Sequence, residues 1–225
     1  MTITYVSSAS ASAESLTLPS HQAGDLLLLF AYRANSTAQP TQVSGWLGTG
    51  TSLGATNFIG AWWKIASASS EVSGTWTNTT QIACLVYRPA SGYTLTVTCF
   101  SGGGGTAGVG GLITYPVFTQ ISTPFDSWLV GAAGHRQINT DIEVAPSGMT
   151  NRTSTAGGSI GELTVHDTNT TQQSWPATSY TLTTGTSSGY RSGVVQIASM
   201  PVVASSGGLS PALINSQSLV RGIVL

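Results

Sequence analysis

Short apolar runs rich in β-branched and aromatic residues alternate with clusters of Gly, Ser, Thr and Asn along the chain. No window sustains a 3.6-residue apolar period, so helices that bury one stripe are excluded and strands are favoured. Strands are expected at residues 15–18, 25–32, 57–65, 74–77, 82–87 and 94–100. In the second half they are expected at 110–118, 128–133, 151–156, 162–167, 180–184 and 194–198. Their number and spacing predict an all-β, antiparallel, jelly-roll-like β-sandwich. Residues 26–30, Leu-Leu-Leu-Leu-Phe, are apolar on both faces, as a central strand covered on both sides would be. Trp62-Trp63-Lys64-Ile65 has the same character. Residues 101–108 include four consecutive glycines and read as a flexible loop.

A weak internal repeat divides the sandwich. Residues 25–33 have an echo in 126–133, and Pro40…Ser44-Gly45-Trp46 has one in Pro146-Ser147-Gly148-Met149. Ile59-Gly60-Ala61-Trp62 has one in Ile160-Gly161-Glu162-Leu163. The expectation is one domain over 1–200, built from two similar halves at roughly 14–100 and 110–199. Neither half closes a core without the other. Residues 201–225 then form a linker and an extended C-terminal arm. The arm ends in five large aliphatics, Leu219, Val220, Ile223, Val224 and Leu225, with Arg221 its one late charge. A free apolar tail is a liability in a soluble monomer. It docks either on its own domain or on a neighbouring subunit.

Charged residues make up only 7% of the chain, against about 25% in an ordinary globular domain. The polar surface is left to hydroxyls, amides and glycine, which suits burial in a repeated assembly or contact with sugars. A formal charge of −1 and scattered arginines exclude a phosphate-tracking surface, so no nucleic acid partner is expected. No apolar run is long enough for a membrane-spanning helix, and no membrane partner is expected. The start, Met1-Thr2-Ile3-Thr4-Tyr5, lacks the basic and apolar regions of a signal peptide. With an extracellular type of composition, this points to a protein carried outside on a particle. Cys84 and Cys99 flank a turn signal at Pro89-Ala90-Ser91-Gly92. A tight hairpin there would set them opposite each other, as two small core side chains or as a disulfide.

The first two thirds carry a more specific pattern. Pro19, Gly24 and Asp25 precede an apolar strand, and Gly45-Trp46 follows it. Next come Trp63-Lys64-Ile65-Ala66, a Ser/Thr segment with Trp76, and Val86-Tyr87-Arg88. In order and spacing this resembles a family of jelly-roll-like β-sandwich modules of phage virion structural proteins and bacterial surface proteins. The resemblance implies particle assembly or surface attachment, and it supplies no catalytic residues.

Chemistry-bearing residues are few. His21, His135 and His166 lie apart from one another and from both cysteines, so no zinc set is expected. His166-Asp167 reads as a solvated strand end. Asp141 and Glu143 would share a face of an extended stretch and read as a weak cation site or a solvated loop. No Gly-x-Ser-x-Gly elbow occurs, and the glycine tract lacks the Lys of a phosphate loop. No enzyme and no cofactor are expected. Most of the six tryptophans should be core, including Trp46 and Trp76. Trp175, in a polar segment of Thr, Gln and Ser, is the candidate contact residue.

The leading expectation is a bacteriophage virion protein on the outer surface of the particle, decorating or cementing the capsid. Its partners would be the major capsid protein or tail components and sister subunits in a homo-oligomer. The candidate interface is Leu219, Val220, Ile223, Val224, Leu225 and Trp175. The alternative is a carbohydrate-binding or host-adhesion module of a tail fibre or cell surface, with a surface glycan as partner.

Overall fold

The computed structural model describes residues 1–108, 110–119, 126–136, 144–155, 161–172, 175–182 and 187–203. Among these the chain forms twelve strands and no helix. The first five are β1 (Ile3–Ala11), β2 (Leu26–Ala34), β3 (Leu47–Leu53), β4 (Asn57–Ile65) and β5 (Gln81–Pro89). The remainder are β6 (Tyr93–Ala107), β7 (Leu112–Tyr115), β8 (Ser127–His135), β9 (Thr150–Ser154), β10 (Glu162–Asp167), β11 (Thr178–Thr181) and β12 (Ser188–Pro201). All pairings are antiparallel.

The chain up to β5 makes one five-stranded sheet, in the order β1-β5-β2-β4-β3. The chain from β6 makes a second, in the order β6-β12-β8-β10-β9, with β7 and β11 paired separately. With β7 and β11 set aside, the second order repeats the first, strand for strand. Among the described residues the path passes from the first sheet to the second once, at residues 90–92. A jelly roll instead shuttles repeatedly between its sheets. The passage also falls earlier than the glycine tract, where the sequence pattern divides the halves.

The repeat is sharpest at a turn. Trp46 N–H donates to the Val43 carbonyl (3.3 Å), and Met149 N–H donates to the Pro146 carbonyl (2.9 Å). Gly45 (φ 85°) and Gly148 (φ 81°) take the third position of each turn, where a type II geometry requires positive φ. Each turn drops a buried side chain, Trp46 or Met149, just before an outer strand. The third sequence echo is displaced. Ala34 faces Asn57 and His135 faces Glu162 across their ladders, so Ile59 corresponds to Thr164 rather than to Ile160.

Three apolar layers hold the sheets. Between them lie Leu28, Phe30 and Tyr87 of the first sheet against Trp128, Val130 and Ile197 of the second. The outer face of the first sheet buries Leu27, Leu29, Trp62 and Cys84 under Leu16, Trp46 and Trp76. The outer face of the second buries Leu129 and Val194 under the β7–β11 pair, with Tyr115 and Tyr180. Strand β2 is apolar from Leu26 to Ala31 because both of its faces are covered there.

The open edges face each other. From β1, the Ser8 hydroxyl donates to the Arg152 carbonyl (2.7 Å) and the Ser10 hydroxyl to the Ser154 carbonyl (3.1 Å) of β9. On the other side the Ser52 hydroxyl of β3 donates to the Gly103 carbonyl of β6 (3.0 Å). Hydroxyls thus satisfy groups that an open edge would offer to another chain.

Two further expectations are corrected. The glycine tract is not a loop: it continues β6, with Gly102 opposite Gly193 and Gly104 opposite Arg191. Glycine is needed because large groups occupy the space of a side chain. A Cβ on Gly104 would lie 2.0 Å from Arg191 Nη1, and one on Gly193 would lie 2.3 Å from the Phe100 ring. The hairpin between the cysteines is also absent, because β5 and β6 belong to different sheets. Cys84 is buried, Cys99 is exposed, and the thiols do not pair.

Candidate functional site

A groove of about 620 Å³ lies beside the outer face of the first sheet, between residues 15–21 and 69–75. Both segments are held by backbone demands rather than by pairing. Leu16 N–H donates to the buried Ser73 hydroxyl (2.9 Å), and the Trp76 indole donates to the Ser73 carbonyl (3.0 Å). Trp76 N–H reaches the Glu14 carbonyl (2.6 Å). These bonds seat Leu16 and Trp76 on the sheet and leave hydroxyls of Ser15, Thr17, Ser70 and Thr75 along the groove. Val72, 74% exposed, adds an apolar lip.

One end of the groove is electrostatically fixed. Glu71 pairs with Lys64, and its Oε1 accepts from the Ser67 backbone and from the Ser67 hydroxyl (2.9 Å). Burial works to raise the Glu71 carboxyl, but the Lys64 and Ser67 bonds outweigh it and hold the group down at about 2. The Lys64 ammonium lies 5.0 Å from the centroid of the Trp46 ring, a cation–π contact. His21 closes the corner. Glu71 N–H donates to Nε2 (3.3 Å), which leaves Nδ1–H to donate to the Pro19 carbonyl (2.7 Å). That pairing requires the neutral imidazole. With every charged group engaged, the groove offers hydroxyls and short apolar surfaces, which is chemistry for hydrogen-bonding a neutral polar ligand.

His166 and Asp167 are not a solvated strand end. Both are fully buried, and they point to opposite faces of β10. Asp167 enters the space between the sheets, where its Oδ2 accepts from Tyr87 Oη (2.9 Å) and Arg152 Nε (2.8 Å). Burial raises its carboxyl above the ordinary range despite both bonds. The Arg152 guanidinium also lies 4.0 Å from the Tyr5 ring centroid. The His166 imidazole meets Tyr115 Oη at 2.8 Å beneath the β7–β11 pair. Both arrangements tie layers together. His135 is buried, with Nε2 2.9 Å from the Ala107 carbonyl.

Trp175 is placed in the core rather than at an exposed contact. It is 7% exposed and forms an isolated bridge with Phe118, with backbone bonds of 3.0 and 3.2 Å. That bridge turns the ring inward over Gly148, where a Cβ would touch it at 3.4 Å. The arm residues Leu219, Val220, Ile223, Val224 and Leu225, and the acidic pair Asp141 and Glu143, lie outside the described residues. Among the described residues no three His, Cys, Asp or Glu side chains are grouped to hold a metal ion. The groove escapes sequence reading because its Ser and Thr residues are indistinguishable from those elsewhere in the chain.

No protein-family model matches the chain, and neither a curated protein nor a solved structure does.

Proposed function

We propose that the chain is a non-catalytic structural module of a bacteriophage particle, an outer-capsid decoration or cement protein. The observation that carries this reading is the closure of the sandwich. Both pairs of sheet edges are bonded to each other through side chains, so the module resists adding strands at random. Six of its fifteen Asp, Glu, Lys and Arg side chains are already consumed in ion pairs. A rigid body with so little free charge suits close packing at many equivalent sites. Attachment then falls to the apolar arm at 209–225, which would bury its aliphatic side chains on a sister subunit or add its main chain to an open sheet edge of the capsid. The resemblance to phage and bacterial-surface sandwich modules supports the same reading.

The test is the copy number of the protein in purified particles, measured by quantitative mass spectrometry with the full chain and with a chain ending at Ser206. Hundreds of copies, lost on truncation while the sandwich stays folded, are expected. No particle-bound protein would overturn the reading. The groove favours a second reading, a glycan-binding adhesion module. A handful of copies per particle, with saturable binding to one glycan on an array, would decide for it.

A further inference from the structure

At the end of the sandwich where β2 finishes and β4 begins, hydrogen-bond donors converge in the gap between the sheets. Tyr32 and Asn57 come from the inner face of the first sheet, and both are buried, at 0% and 3% exposed. The Tyr32 ring packs directly on Gly134 of the second sheet, where a Cβ would lie 2.2 Å from it. Arg191 enters the gap from β12 and Arg136 from just beyond β8, both half-buried. The Arg191 guanidinium runs over Gly54 and Gly104, each bare because a Cβ would come within 2.2 Å of it. Arg136 is anchored through its N–H to the Gly189 carbonyl (3.1 Å) and through Nη1 to the Thr56 hydroxyl (2.5 Å). A Cβ on Gly189 would sit 3.3 Å from Asn57 Nδ2 and 3.6 Å from Arg136 Cδ, so these groups share one space.

Several polar atoms here lack acceptors among the described residues. Arg136 Nε and Arg191 Nε are buried without a hydrogen-bond partner among the described residues, and Tyr32 Oη and Asn57 Nδ2 lie beside each other with no other partner there. Among the described residues, the three ion pairs engage Lys64, Arg88 and Arg152, and neither Arg136 nor Arg191 joins one. Burial keeps the Tyr32 phenol protonated well beyond neutral pH, although the Asn57 side chain beside it and both guanidiniums favour its ionisation, so it remains a donor. Unpaired buried donors and two neighbouring cations are each costly alone. A shared acceptor with negative charge removes both costs, and guanidinium is the group best suited to hold it.

We propose that this gap is a binding site for a tetrahedral oxyanion, a sulfate or phosphate group. The anion is clamped between Arg136 and Arg191, with Tyr32 and Asn57 donating from the opposite sheet. A planar carboxylate is satisfied by one guanidinium fork, whereas donors facing each other across two sheets suit an acceptor with oxygens on all sides. The site is independent of the capsid reading. A sulfate ester on a glycan and free phosphate present the same chemistry to it.

The test titrates inorganic sulfate, inorganic phosphate and acetate into the full chain at constant ionic strength, following the arginine Nε–H resonances by NMR. Sulfate or phosphate should shift two of the six arginine signals saturably, and Arg191→Gln should weaken that binding at least tenfold while the thermal melt stays cooperative. The preference between sulfate and phosphate separates an ester-bearing glycan from a phosphate source. If Arg191→Gln fails to fold, Arg136→Gln carries the same comparison at the other cation. Shifts that never saturate, equal binding by either variant, or acetate binding as tightly as sulfate would overturn the proposal.

Discussion

The imidazole of His166 is fully buried between β10 and the β7–β11 pair, in edge contact with the Tyr115 and Tyr180 rings (centroids 5.9 and 5.2 Å). Burial opposes its charged form and lowers its pKa to about 3, against 6.5 for the free side chain. The unfolded chain therefore takes up a proton that the folded chain refuses. Stability is present above about 6.5 and is lost as pH falls toward 3, at up to about 1.4 kcal/mol per pH unit. Glu71, depressed to about 2, acts in the same direction, but only below its unfolded value near 4.5. Asp167, raised by burial, acts oppositely and favours the folded state at lower pH. Comparison with His166→Gln isolates the histidine, because the other two groups are common to both proteins. Urea unfolding between pH 4.5 and 6.5 should show the wild type losing stability relative to the variant as pH falls. Parallel curves would mean that the imidazole is charged in the folded protein.

Strand β6 shows why a glycine run looks like a loop in the sequence alone. A local pattern sees only missing side chains, whereas the Arg191 guanidinium of β12 and the neighbouring Phe100 ring fill the space above the bare backbone. Gly104→Ala should destabilise the protein by about 1–3 kcal/mol, the usual cost of overpacking. A loop residue would give a change within about 0.5 kcal/mol in the same urea measurement. The same limit separates the strands that were legible from those that were not. The runs at 57–65 and 162–167 coincide with β4 and β10, because burial on both faces writes a continuous signal into the sequence. Strand β1, rich in Ser, Ala and Thr, and β3, with Gly48 and Gly50, are outer strands with little buried surface, and they left no pattern. The segments at 15–18 and 74–77 carry Leu16 and Trp76, which plug the outer face of the first sheet without pairing. Their apolar residues were visible, but their role was set by a surface elsewhere in the chain. Trp175 reads as a contact residue for the same reason, since its polar neighbours hide the bridge to Phe118.

Each sheet is a continuous stretch of chain, yet neither can bury its own inner face. Leu26, Leu28, Phe30, Tyr32, Leu85 and Tyr87 of the first sheet are fully covered only because Trp128, Val130, Val195 and Ile197 of the second pack against them. At about 1.5–3 kcal/mol for each large apolar side chain fully buried, exposing this face removes more than the net stability of an ordinary domain. The Tyr87–Asp167–Arg152 contact also spans the two sheets, and separation would leave Asp167 without Tyr87. Division at residues 90–92 cuts the passage between the two five-stranded sheets and removes no strand from either. Fragments 1–91 and 92–225, each alone, should therefore lack a cooperative thermal transition. Refolded together, they should recover the β-type circular dichroism of the intact chain and melt cooperatively at a concentration-dependent temperature. The burial argument concerns the interface between sheets and not the covalent link, so the missing peptide bond should lower the melting temperature without preventing assembly. If fragment 1–91 alone melts cooperatively near the temperature of the intact protein, the outer core around Trp46, Trp62 and Trp76 is sufficient by itself. The two sheets would then be separate folding units rather than the faces of one.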